Sequence, residues 1–243
     1  GKHDNWSLTT DNGVNLLDPG DTPNENIQFL LVLACIMKAV DTHADLLRQS
    51  ASDPGNDHRL GACEAPPAII SIYLGEELDG ILSSIESEDT YSARKKSVLK
   101  IGVNVLPPIP KDSTDRNRTS PFAFTGNKFE FRMVGASENI ACPNFILNTI
   151  VAEELSCFAD ELEKAPDFNK ALSNLLKKTI KEHKRILFSG NSYSKEWQKE
   201  AEDRGLLNLK STVDALPLYA KEKNVKLFEK HRVLTISEIH SRM

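Results

Sequence analysis

The stretch that most constrains this chain is Asp115 to Arg132, DRNRTSPFAFTGNKFEFR, continuing into Met133. Phe129, Phe131 and Met133 alternate there with Lys128, Glu130 and Arg132. A period of two is that of an extended strand, so one face is apolar and the other carries Lys, Glu and Arg. The apolar face demands a core to cover it. The charged face suits a polar cavity, where a carboxylate can hold a metal and cations can meet anions. It equally fits a solvated strand with a cross-strand ion pair, so the neighbouring segments have to decide.

At 243 residues the chain is long enough for one large domain or two small ones. A net charge of -5 argues against nucleic acid as partner, because phosphate neutralisation needs a basic footprint. Cys35, Cys63, Cys142 and Cys157 lie far apart without a CxxC pair, which indicates neither a zinc site nor a disulfide framework. Cys35 and Cys157 fall in apolar helical patterns and are expected to be buried thiols, consistent with a reducing cytoplasm. The longest apolar run, around Phe29 to Met37, is too short for a membrane span, and no signal peptide is read. Opening at Gly1 without a methionine, the sequence reads as a fragment.

In chain order, Gly1 to Thr10 reads as a strand placing His3, Asn5 and Ser7 opposite Asp4, Trp6 and Leu8. Such a polar face offers an imidazole to a metal and amide or hydroxyl groups to phosphate, or is simply a polar edge. Thr22, Pro23 and Glu25 predict a capped start for a buried helix running to about Arg48. Ala51 to Ala65 reads as an irregular loop delivering His58, Arg59 and Glu64, with Arg59 able to fork a carboxylate. A second apolar helix is expected from Ala68 to about Ile85, with Gly75 and Gly80 permitting close packing. A surface turn over Glu86 to Lys96 and a strand over Val98 to Leu106, ended by Pro107, Pro108 and Pro110, come next. Helices are expected from Asn144 to Lys164, Phe168 to Leu187 and Ser194 to Arg204, with a capping box at Thr235 and Glu238. Lys177, Lys178, Lys181, Lys184 and Arg185 read as a solvated helix face, or less readily as a subunit contact.

Three separated motifs, in order, resemble those of one family. GKHDNWS is similar to the metal- and phosphate-binding strand of glutamine synthetases, HRLGACEAPP to their glutamate-binding loop, and RNRTSPFAFTGNKFEFR to their Arg-x-Arg element with its Glu-x-Arg strand. EAPPAIISIYLG and FAFTGNKFEFRM stand nearly as in the long bacterial type III enzymes, and the resemblance covers essentially the whole chain.

The resemblance implies ATP-dependent ligation of ammonia to L-glutamate through γ-glutamyl phosphate. It implies Mg²⁺ or Mn²⁺ on His3 and Glu130, and ATP along Asn5, Ser7, Arg118 and Lys128. Arg59 and Arg132 would hold glutamate, while Glu64, on a closing flap, would bind at the same place and take a proton from ammonium. It implies an α+β fold, a partial catalytic barrel of antiparallel strands backed by helices over 1–164. A helical C-terminal region over 165–243, a ring-shaped homo-oligomer and a cytoplasmic location complete the expectation, with no nucleic-acid or membrane partner. Two departures stand out: Ala123 occupies the place of a phosphate-contacting Arg of shorter types, and the Arg59 to Glu64 loop is a residue shorter. The strands that carry the family's remaining metal ligands lie upstream of its imidazole strand, so this chain alone is expected to be inactive. The alternatives are a ligase joining glutamate to another amine and a non-catalytic scaffold paralogue.

Overall fold

In the computed structural model of the chain, residues 1–87 and 119–243 are described, together with the backbone pairing of 98–99 with 109–110. A four-stranded mixed sheet is built from β1 (Lys2–Trp6), β2 (Ile72–Tyr73), β5 (Phe122–Phe124) and β6 (Phe129–Val134), in the order β1-β6-β5-β2. Strands β3 (Val98–Leu99) and β4 (Ile109–Pro110) form a separate antiparallel pair. The helices are α1 (Ile27–Thr42), α2 (Ala44–Ser50), α3 (Pro54–Asp57), α4 (Glu76–Ser87), α5 (Ala141–Glu163), α6 (Phe168–His183), α7 (Lys195–Asp203), α8 (Thr212–Tyr219), α9 (Glu222–Lys230) and α10 (Ile236–Ser241). The class is α+β, as the patterning implies.

The alternation in β6 does what its period requires. Phe129, Phe131 and Met133 are buried, while Lys128, Glu130 and Arg132 stay partly open on the other face. Register aligns Phe122 with Phe131 and Phe124 with Phe129, and Phe122 stacks on Phe129 with ring centroids 4.5 Å apart. The apolar face lies against α1 and α5. Along β1, Asp4 and Trp6 turn inward and His3, Asn5 and Ser7 outward, as alternation predicts.

Several boundaries differ from expectation. The first helix starts at Ile27, capped by the Asn26 side chain on the Phe29 N–H; Thr22 and Pro23 instead form a turn, with Glu25 N–H bonded to Thr22 C=O. Asn26 itself is non-helical, so the helix cannot begin before it. The helix also breaks at His43, dividing α1 from α2. Pro54–Asp57, expected to be irregular, forms one helical turn because Asp53 accepts from Gly55 N–H and Pro54 occupies the first position.

Ala68 to Leu74 runs extended rather than helical, because Ile72 and Tyr73 pair in parallel with Phe122 and Ala123. Gly75, at φ +91, makes the turn into α4; that conformation, not close packing, is its use. Helix α5 begins at Ala141, earlier than predicted, with Pro143 tolerated in its first turn. Its buried stripe includes Leu147, Ile150, Val151, Glu154, Phe158 and Leu162. Cys157 falls off that stripe and is exposed, while Cys35 is buried. Pro110 lies within the β3–β4 pair rather than beyond a strand's end. Most of the turn expected over Glu86 to Lys96, and residues 100–106, lie outside the described residues, as does Arg118.

The capping box of α10 forms as read, Thr235 bonding the Glu238 N–H. The basic run is only in part a solvated face: Lys184 pairs with Glu86, and Arg185 and His183 both hold the buried Asp41 carboxylate. One apolar core runs from Trp6 to Ile239, and a second cluster packs Cys35 and Phe158 against Leu172, Leu175 and Leu176 of α6.

Candidate active site

A cleft of about 170 Å³ opens at the β1 end of the sheet, and four residues singled out by sequence line it: His3, Arg59, Glu64 and Arg132. They arrive from three separate segments: β1, the loop after α3, and β6. The β1–β6 register shifts between Lys2 and Asp4, so His3 faces two residues, Arg132 and Met133, across a bulge. A bulge re-aims side chains beside a site, and here it turns the end of β6 toward the cleft.

Arg59 is held by its own neighbourhood. Its Nε donates to Asn56 Oδ1 at 2.9 Å, and its Nη2 donates to the carbonyls of Met133 at 2.8 Å and Val134 at 3.2 Å. Asn56, buried, in turn donates to the carbonyls of Ala51 and Met133. This fixes the guanidinium plane and leaves Nη1 without a hydrogen-bond partner among the described residues. Gly1 passes so close that a Cβ there would lie 2.9 Å from the Arg59 Cζ, so any other residue would have to displace the guanidinium.

Arg132 closes the other side. Its Nε and Nη2 both reach Glu130 Oε2, at 3.2 and 3.1 Å, along the polar face of β6. His3 Nδ1 lies 3.9 Å from the same oxygen. Two donors to one ion with ligand distances of about 2.1 Å sit between roughly 3 and 4.2 Å apart, so this spacing fits a shared divalent cation. Among the described residues no group of three metal-binding side chains forms, so His3 and Glu130 supply two ligands and no more.

Glu64 lies at the tip of its loop, largely exposed, with Gly1, just before β1, beside it. The cleft thus carries both signs of charge, the guanidinium groups of Arg59 and Arg132 and the carboxylate of Glu64, with Glu130 behind Arg132. Such an arrangement can bind a ligand carrying both an anionic and a cationic end.

The other expected residues lie elsewhere. Asn5 pairs across the sheet with Glu130, whose other neighbour is Ala123. Ser7 Oγ donates to Asn15 Oδ1 and to the Asn127 carbonyl, tying the far end of β1 to the turn that holds Lys128. These residues follow the polar face away from the cleft. Three lining residues escaped the sequence reading: Thr119, Ser120 and Tyr193. Thr119 and Ser120 follow directly on the Arg-x-Arg element, within the motif that the sequence singles out; Tyr193 comes from a distant Gly/Asn/Ser loop with no local signal.

Among the described residues no helix is long and apolar enough to cross a membrane. A family model for the glutamine synthetase C-terminal domain matches residues 171–243. The whole chain is 52% identical to the type-3 glutamine synthetase of Dictyostelium discoideum, 44% identical to a glutamine synthetase of Butyrivibrio fibrisolvens and 42% identical to one of Bacteroides fragilis. All of this chain is covered in each case, against 33%, 35% and 34% of the relatives, so it spans about a third of their length. Motifs in order, a cleft that gathers them, and identity along the full chain have one common account: the chain belongs to the glutamine synthetase family, with its likeness to the type III form.

Proposed function

We propose that the protein of which this chain is part ligates ammonia to L-glutamate at the expense of ATP. The observation that carries the reading is the convergence of Arg59, Arg132, Glu64 and His3 on one cleft from three distant segments. Arg59 and Arg132 bind and orient the glutamate carboxylates by charge-assisted hydrogen bonds. Glutamate's γ-carboxylate takes the terminal phosphoryl of ATP, releasing ADP. Glu64, open at its loop tip, then accepts a proton from ammonium, and the freed ammonia attacks the acyl-phosphate carbonyl, forming the C–N bond and expelling inorganic phosphate. The loop shields that carbonyl from water. His3 and Glu130 hold a divalent cation, Mg²⁺ or Mn²⁺, which when bound supplies neutralising charge to the transferring phosphoryl group. Asn5, Ser7, Lys128 and Arg118 would contact the ATP, as the family motifs imply.

Residues 1–164 form part of a catalytic barrel and 165–243 a helical C-terminal region. The whole protein is a cytoplasmic, ring-shaped oligomer that completes the metal site with carboxylates from outside this chain. The test is ADP release requiring both glutamate and ammonium, measured on the full-length protein. Arg59→Ala is expected to lower kcat/KM for glutamate by about 10²-fold or more, because a buried charge-assisted contact is lost. Glu130→Ala is expected to raise the metal concentration needed for half-maximal rate. Full activity in the Arg59→Ala protein would overturn the reading.

A further inference from the structure

We propose that Tyr193 is a positioning residue for the loop that carries Glu64, so that the C-terminal helical region sets the geometry of the ammonium side of the cleft. The proposal rests on the function proposed above and adds a residue that the motifs do not contain.

The phenol Oη donates to the Glu64 carbonyl at 3.1 Å, and the ring lines the cleft. On its own side Tyr193 is anchored along its segment. Leu187 bridges Ile72 of β2, and Phe188 N–H bonds the Ile72 carbonyl at 2.8 Å. Ser120 donates to the Phe188 carbonyl, and Ser189 donates to Asp79. The Phe188 ring stacks on Trp197 at 3.6 Å, and the Tyr193 N–H is taken by Asn191 Oδ1. The next residue, Ser194, caps α7. A tyrosine between a sheet-edge strap and a capped helix has little freedom to move.

The Glu64 loop is the opposite case. Its internal bonds join Gly61 N–H to the carbonyls of Ala65 and Pro66, which closes the base but leaves the tip. Among the described residues, the phenol of Tyr193 is the one side chain from outside the loop that hydrogen-bonds Glu64. Glu64 faces solvent, so packing does not hold it. One hydrogen bond from an anchored donor therefore fixes the Glu64 backbone from which this carboxylate projects.

The experiment is Tyr193→Phe in the full-length protein, which keeps the ring and removes only the hydroxyl. Amide hydrogen exchange at residues 61–65 is expected to accelerate several-fold, with exchange in α1 and α5 unchanged. The KM for ammonium is expected to rise about three- to tenfold, the range set by one hydrogen bond, while the KM for glutamate and kcat at saturating ammonium stay within about twofold. A purely structural role would instead lower thermal stability and all kinetic parameters together. Unchanged exchange at 61–65 would overturn the proposal, whatever the kinetics. Faster exchange with an unchanged ammonium KM in an active enzyme would also overturn it. A wild-type protein without ammonium-dependent ADP release overturns the functional reading alone, and exchange still decides whether Tyr193 holds the loop.

Discussion

Asp4 shows how one residue can obey the pattern of its strand and oppose the chemistry of its surroundings. Alternation sends it to the inner face of β1, beside Phe131 of β6, where it is buried. Burial there pushes its pKa up, against a partial offset from the Asn144 side chain. A carboxyl whose folded pKa is raised binds its proton more tightly when folded. Stability is then greatest below the unfolded pKa near 3.8 and falls as pH rises through the folded value. Asp4→Asn should therefore raise the melting temperature at pH 7 to 8, and the gain should shrink as pH approaches 4. Thermal melts of both proteins across that range check it; an equal gain at every pH would refute the burial argument. The cleft arginines differ in legibility for a related reason. Arg132 follows from strand parity, whereas the fixed plane of Arg59 depends on Asn56 and two β6 carbonyls that no local pattern connects to it.

Between elements, matched spacings tie the sheet to its helices. Asp4 and Trp6, two apart on β1, meet Asn144 and Asn148, four apart on α5, because two strand residues and four helix residues both advance about 6 to 7 Å. Trp6→Phe replaces the indole by a smaller phenyl ring and strands the Asn148 acceptor at a partly buried site. A cost of about 2 to 3 kcal/mol, the lost hydrogen bond together with the void left in the core, is expected in denaturant melts.

A stronger tie joins α2, α3 and α8. Arg48, fully buried, donates to Asp57, Ser52 and the Leu209 carbonyl, and Asp57 also accepts the Thr212 N–H at 2.6 Å. Burial pushes the Asp57 pKa up, but the Thr212 bonds and Arg48 outweigh it and bring it below the ordinary aspartate value. The stability this carboxylate contributes is present above its unfolded pKa and is lost as pH falls through the lower folded value. Arg48→Met should cost about 3 to 5 kcal/mol, since it strands the partners of a buried charge. Asp57→Asn should cost less, and its penalty should fade in acid. A guanidinium titration at pH 7 and again near pH 3 separates the two.

Over the whole molecule, the helical C-terminal region is part of the core rather than an appendage. Ile180, Ile186, Tyr219, Phe228 and Ile239 belong to the same apolar cluster as Phe29 and Phe131, and Leu175 packs in the cluster that holds Phe158. Residues 1–164 produced alone would expose the partners of those side chains. They are expected to aggregate on size-exclusion chromatography under conditions where the full chain does not. Leu175→Ala should destabilise the chain by about 2 to 5 kcal/mol, as for other buried leucines, and a melt within 1 kcal/mol of wild type would show that α6 is loosely docked.

The sequence by itself determined the features that are local or periodic. The two faces of β6 and β1, the buried character of α1, the capping box of α10 and the three motifs all depend on residues within a turn or two of one another. Only the tertiary structure decided the rest. Ile72 and Tyr73 became a strand because β5 offered them a partner, since an apolar run of that length is equally fit for a buried helix or a buried strand. The break at His43, the exposure of Cys157 and the arrival of Tyr193 at the Glu64 loop likewise depend on contacts between segments far apart in sequence. Side-chain periodicity records which face is covered; it carries no record of which distant segment does the covering.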